Sequence, residues 1–129
     1  MSLQSVRAYL AEHAPDIEVL EATTSTATVA LAALAYGVEP GRIAKTLAYW
    51  LDDEAILVVM RGDARVDNRR FKDAFAKKAK MLDAEAVAAW TGHPVGGVCP
   101  FGLARPMRVF ADRFAFNVHL KCSKLCSAK

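Results

Sequence analysis

The sequence predicts a single α/β domain, a mixed and largely antiparallel central sheet with helices packed around it. Three observations point there. Two apolar strand-like segments, Ile43 to Leu51 and Ala55 to Met60, flank the short acidic turn Asp52-Asp53-Glu54, the pattern of a hairpin. Helix-like stretches with their own capping residues stand before and after that hairpin. No linker or internal repeat divides the 129 residues, a length that buries its own core without staples.

Each element has a local reason. Ser2 is placed to cap a first helix whose Leu3, Val6, Tyr9 and Leu10 follow helical spacing and which ends before Pro15. Asp16-Ile17-Glu18-Val19-Leu20-Glu21 alternates polar and apolar and predicts a short half-buried strand. Thr23, Thr24, Ser25 and Thr26 offer N-caps for an Ala-rich helix reaching Tyr36, with Gly37 at the C-cap and Glu39-Pro40-Gly41 as the turn. In the strand from Ile43, a period of two puts Ile43, Lys45, Leu47 and Tyr49 on one face and Ala44, Thr46, Ala48 and Trp50 on the other.

The Ala55–Met60 run is continuously apolar, as in a strand buried on both faces. Asp67 caps a helix predicted over Asn68 to Lys80, with Phe71, Ala74, Phe75 and Ala79 as its buried stripe. Asp83 caps another through Ala86, Val87 and Trp90, stopped by Gly92, and Met107 to Phe110 reads as a strand.

Composition excludes several classes. No apolar run approaches the roughly 18 residues of a membrane span, and the first residues lack a basic-then-apolar secretory pattern, so a soluble cytoplasmic protein with no membrane partner is expected. Cys99, Cys122 and Cys126 are an odd number, a poor disulfide framework. His119, Cys122 and Cys126 lack a fourth ligand unless the fold brings His93 or Cys99 to them, and no metal or cofactor is expected. Net charge is only +3, yet Arg61 to Lys80 alone carries +5. Arg65, Arg69, Arg70, Lys72 and Lys77 in that segment make a basic face suited to a polyanion such as RNA.

Two features carry chemistry. The stretch Thr91-Gly92-His93-Pro94-Val95-Gly96-Gly97-Val98-Cys99-Pro100-Phe101-Gly102 is a glycine- and proline-shaped loop that points backbone groups at a ligand. Lys45 stands on an otherwise apolar strand face, where a lysine either snorkels to the edge or is held for a purpose. Around these, His93 reads as a turn residue or an acid–base group, Cys99 as a small pocket-lining residue or a nucleophile that no histidine is placed by sequence to activate, and Thr26 as a cap or a pocket residue.

The order Gly37-Val38-Glu39-Pro40-Gly41-Arg42-Ile43-Ala44-Lys45-Thr46-Leu47, an apolar strand ending at Gly62, a basic helix, Thr91-Gly92, and Gly96-Gly97-Val98-Cys99-Pro100-Phe101-Gly102 resembles the YbaK/ProX family. These are free-standing relatives of the editing domain inserted in bacterial prolyl-tRNA synthetase. The resemblance covers about residues 15 to 111. It implies hydrolysis of the ester joining a wrong amino acid, alanine or cysteine, to tRNA for proline, without metal or covalent nucleophile. It implies that Lys45 contacts the terminal phosphate or ribose, and that the Gly96, Gly97, Val98, Cys99 and Pro100 loop holds the aminoacyl end. From the residues themselves, Thr46 in a supporting role, Thr26 and His93 are added as candidate substrate-binding residues. Aminoacylated tRNA is then the partner, with prolyl-tRNA synthetase as a further one.

Residues 112–129 depart from the family, since the Gly/Ser loop that borders the pocket in relatives is not found there. That tail is expected to leave one wall open, to form a strand at most through Phe114, Phe116, Val118 and Leu120, and to offer a surface for pairing two chains. The alternative reading is a non-catalytic RNA- or nucleotide-binding module of the same fold, and a third is a hydrolase dependent on Cys99.

Overall fold

A computed structural model describes residues 2–112. The tail with its alternating Phe114–Leu120 pattern, His119, Cys122 and Cys126 lies outside them. Helix α1 spans Ser2–His13, α2 Val29–Tyr36, a 3-10 turn Pro40–Arg42, β1 Ala44–Leu51, β2 Glu54–Arg61, α3 Asn68–Phe75, α4 Ala84–Thr91 and β3 Arg108–Ala111.

The expected hairpin forms. Strands β1 and β2 pair antiparallel from Ala44↔Arg61 to Leu51↔Glu54, leaving Asp52 and Asp53 as the turn. Asp52 takes φ 54° there, a left-handed conformation that a short polar side chain tolerates. β3 then pairs parallel with β2 through Ile56↔Arg108 to Val59↔Ala111, giving the order β1-β2-β3. A parallel partner needs a long crossover, and α3 and α4 supply it. The sheet is therefore mixed and mostly antiparallel, as predicted.

β2 is the central strand, and its apolar run is buried on both sides: Ala55, Ile56 and Leu57 have no exposed surface. On one face Ala48, Ala55 and Leu57 pack with Leu82, Val87 and Met107 beneath α4. On the other, Tyr49 and Ile56 pack with Phe71 of α3, joined by Phe75 and Phe110.

Asp67 and Asp83 cap α3 and α4 as expected, each accepting backbone N–H bonds, and Gly37 and Gly92 end α2 and α4 in left-handed conformations. Three expectations fail. Residues 16–21 form no strand: Leu20 is 62% exposed, and the segment is tied down by a Tyr36 hydroxyl donating to the Leu20 carbonyl and by Glu21 pairing with Arg7. Its alternation finds no partner strand, and a period of two has meaning only beside one. The cap of α2 is Thr28, whose hydroxyl accepts from the Leu31 N–H at 3.2 Å, not a residue of 23–26. Finally, α3 stops at Phe75 because Ala76 turns left-handed, and Lys77–Lys80 leave the helix. That chain goes to the edge of β1, where Trp50 N–H donates to the Lys80 carbonyl at 2.8 Å and Leu82 N–H to the Ala48 carbonyl at 3.2 Å. Unpaired edge groups outweigh a further helical turn.

Candidate active site

The unpaired side of β1 is also the floor of a cavity of about 290 Å³. Ile43 to Ala48 form that floor, Thr26 to Val29 at the head of α2 form one wall, and Val95, Gly96 and Val98 face them. Met81, Leu82 and Val87 close the far end. The lining is mainly aliphatic with a few polar groups, the makeup of a small-molecule site.

The two walls meet closely. Gly96 has φ 88°, and a Cβ built there would stand 3.0 Å from the Ala27 carbonyl oxygen. A side chain would strain the backbone and crowd the opposite wall, so glycine is required by shape. The Gly97 N–H folds back to the Pro94 carbonyl at 2.9 Å, holding the loop's turn.

Lys45 lies on the α3 side of the sheet with Leu47 and Tyr49, half-buried, and its ammonium donates to the Ala64 carbonyl beyond β2. That bond orders a side chain which would otherwise sweep a wide volume. Nearby, the Arg61 guanidinium, hydrogen-bonded to Asp63 at 2.7 and 2.8 Å, holds the Asp63 carboxyl below its ordinary range, with a smaller contribution from the Lys45 charge. Thr46 faces the other way, toward α4, yet it lines the same cavity because the cavity follows the strand's edge.

Of the residues singled out in the sequence, Thr26, Lys45, Thr46, Gly96 and Val98 line this cavity, and Gly97, Cys99, Pro100 and His93 do not. His93 is 1% exposed, behind the loop. Its backbone N–H donates to the Thr91 hydroxyl at 3.0 Å, which itself donates to the Val87 carbonyl at 2.6 Å. Its Nε2 lies 2.8 Å from the Phe101 carbonyl, so Nε2 carries a hydrogen. No histidine is placed by sequence to activate Cys99, and the fold brings His93 Nε2 to 3.7 Å from its sulfur. The pair still makes no nucleophile: that nitrogen already donates to Phe101, and burial pushes the thiol pKa up.

Arg65, Arg69, Arg70, Lys72 and Lys77 are all exposed. Arg65 and Arg70 border a groove between α3 and Phe110, Arg69 and Lys72 share a depression with Lys78, and Lys77 pairs with Asp52 at 3.0 Å. None lines the cavity. Sequence reasoning missed Val29, Met81 and Val95 as lining residues. Thr28 was legible as one more hydroxyl near a helix start; Met81 carried no signal, because it arrives by tertiary pairing with Tyr49. Among the described residues no group of three or more His, Cys, Asp or Glu could hold a metal, and no helix is long and apolar enough to cross a membrane.

Comparison with known proteins places this geometry. A profile of the aminoacyl-tRNA editing domain matches residues 23–117. The chain is 45% identical over 113 residues to the uncharacterized protein YwhH of Bacillus subtilis (strain 168), covering 87% of this chain and 72% of YwhH. It is 38% identical over 77 residues to proline–tRNA ligase of Nitratidesulfovibrio vulgaris (strain DP4), spanning 59% of this chain but only 13% of that enzyme. A crystal structure described as a candidate trans-editing enzyme for prolyl-tRNA synthetase superposes with TM-score 0.78 at 29% identity, over 86% of this chain and 71% of that one. With the cavity, the loop and the strand in common view, this chain belongs to the aminoacyl-tRNA editing domain family.

Proposed function

We propose that this protein hydrolyses the ester of mischarged aminoacyl-tRNA, with alanyl- or cysteinyl-tRNA for proline as its substrate. One observation carries the reading: Lys45 and the Gly96 loop, far apart in sequence, line one small cavity in a chain of the editing family. Its likeness to a segment of proline–tRNA ligase supports tRNA for proline as the carrier.

The cavity takes the aminoacyl end. An aminoacyl ester is already activated, so fixing its orientation and stabilising the charge developing on its carbonyl oxygen suffice for rapid hydrolysis. Water adds to the carbonyl carbon, the bond to the ribose oxygen breaks, and that oxygen leaves with a proton taken from the water, releasing the free amino acid. Lys45 supplies a point charge for the terminal phosphate or ribose, and within the Gly96–Pro100 loop Gly96 and Val98, which line the cavity, supply main-chain groups for the aminoacyl end. Thr26, Thr46 and Val98 shape the cavity. His93 and Cys99 support the loop from behind and take no proton in the reaction. The exposed Arg65, Arg69, Arg70, Lys72 and Lys77 attract the tRNA backbone.

Deacylation of alanyl- and cysteinyl-tRNA for proline by the wild type beside Lys45→Ala tests the reading. Cleavage by the wild type and its loss in the variant support it. Equal cleavage by both would remove Lys45 from the mechanism, and no cleavage by the wild type, with tRNA bound, would favour the binding-module alternative.

A further inference from the structure

The outer edge of β1 holds a ladder that stops one rung short. Gly62 N–H donates to the Ile43 carbonyl at 2.6 Å, so odd-numbered residues of this strand turn their main-chain groups toward β2. Even-numbered residues face outward, as the Trp50–Lys80 and Leu82–Ala48 bonds demonstrate. The segment Lys80–Leu82 thus runs antiparallel to β1 with Leu82 opposite Ala48. The next hydrogen-bonding position is Thr46. There the chain departs: Asp83 accepts from the Ala86 N–H at 2.8 Å and starts α4. Among the described residues nothing bonds the outward N–H or carbonyl of Thr46, and Thr46 lines the cavity.

We propose that the aminoacyl group of the substrate occupies this missing rung, pairing with the Thr46 main chain as a single strand residue would. The inference rests on the editing reading and deepens it by assigning the groups that hold the amino acid. An aminoacyl ester has an N–H donor and a carbonyl acceptor on either side of one tetrahedral carbon, which is the donor–acceptor pattern of one residue of a strand. Thr46 N–H donates to the ester carbonyl, and the Thr46 carbonyl accepts from the α-ammonium. In the sense of Lys80–Leu82, the ester then points toward the Ala44–Lys45 end, beside the Lys45 charge. The substrate side chain falls on the Thr46 face of the sheet, next to Val87 and Val98. Extending a sheet edge by a short ligand is an established mode of recognition. Here the ligand is one residue long, and the N–H stays in place as negative charge gathers on the carbonyl oxygen.

The test uses the wild-type chain with a non-hydrolysable probe, 3′-deoxy-3′-(alanylamino)adenosine, followed by amide NMR. The expected result is a saturable downfield shift at the Thr46 amide, with hydrogen exchange slowed about tenfold, while the Lys45 amide inside the ladder is unaffected. Saturable shifts at Gly96 and Val98 with Thr46 unmoved would overturn the inference and leave the editing reading standing. No perturbation of any cavity amide, with no deacylation of aminoacyl-tRNA, would overturn both. In parallel, Thr46→Pro deletes the outward N–H from an edge strand, where proline is tolerated. It is expected to lower kcat for deacylation about 100-fold, with a melting temperature near wild type. A folded variant at full rate would overturn the inference, and should that variant fail to fold, the wild-type spectrum decides.

Discussion

Lys45 and Thr46 are adjacent on β1 and point to opposite faces of the sheet, yet both line one cavity. This is possible because, among the described residues, β1 is an edge strand whose outer side is left open from Ala44 to Thr46. A central strand would divide those two side chains between separate compartments. The edge therefore brings Lys45 from one face and Thr46 from the other to the same small volume.

Lys45→Ala removes the one charged side chain among the described residues that line the cavity. The expected outcome is loss of deacylation by about 100-fold or more, with urea unfolding within about 1 kcal/mol of wild type, since surface-reaching charges contribute little to stability. Single-turnover hydrolysis and equilibrium denaturation together measure this.

Gly96→Ala places a Cβ at φ 88° and 3.0 Å from the Ala27 carbonyl oxygen. Strained backbone of this kind costs about 1–3 kcal/mol. Denaturant titration is expected to register that cost, and deacylation to fall with it as the two walls of the cavity are forced apart. A variant as stable as wild type would mean that the loop shifts freely.

Cys99→Ala is expected to keep deacylation within about twofold, a value set against the roughly 100-fold or larger drops that follow removal of a catalytic group. Burial raises the Cys99 pKa, so the folded thiol keeps its proton in a range where the unfolded one has lost it. Stability is therefore unaffected below the ordinary thiol pKa and declines as pH rises above it. Comparing the melting temperatures of wild type and Cys99→Ala across that range isolates this contribution: the alanine variant should decline less.

Arg69→Ala with Lys72→Ala removes two exposed cations from the same depression. If they meet tRNA phosphates, binding weakens and the slope of log K against log salt becomes shallower by about 0.7 to 0.9 for each phosphate no longer neutralised. Filter binding over a salt series measures both. An unchanged slope would take α3 out of the RNA interface and leave its charges as a solvated face.

Much of the fold and part of the site were legible in the residues. The β1–β2 hairpin, the Asp67 and Asp83 N-caps and the Gly37 and Gly92 C-caps are local matters, decided by side chains within a few positions of one another. The motif around Lys45 and Gly96 was visible for the same reason, since each half is a short pattern. What went astray depended on partners distant in sequence. Residues 16–21 alternate like a strand and meet no strand; the basic helix ends early because Lys80–Leu82 is needed along β1. His93 reads as a loop histidine and is buried against Phe101.

The sequence by itself determined which segments are strands of the hairpin, where most helices begin and end, and that a lysine and a glycine-rich loop stand out as the groups suited to chemistry. Periodicity, capping and backbone permissiveness act over one turn or one strand, so they are written in neighbouring residues. Only the tertiary structure decided that, among the described residues, β1 lies at the edge of the sheet, and that Met81, Leu82 and Thr46 line the same cavity. Those follow from which strands pair, and pairing is settled by burial and hydrogen bonding summed over the whole chain.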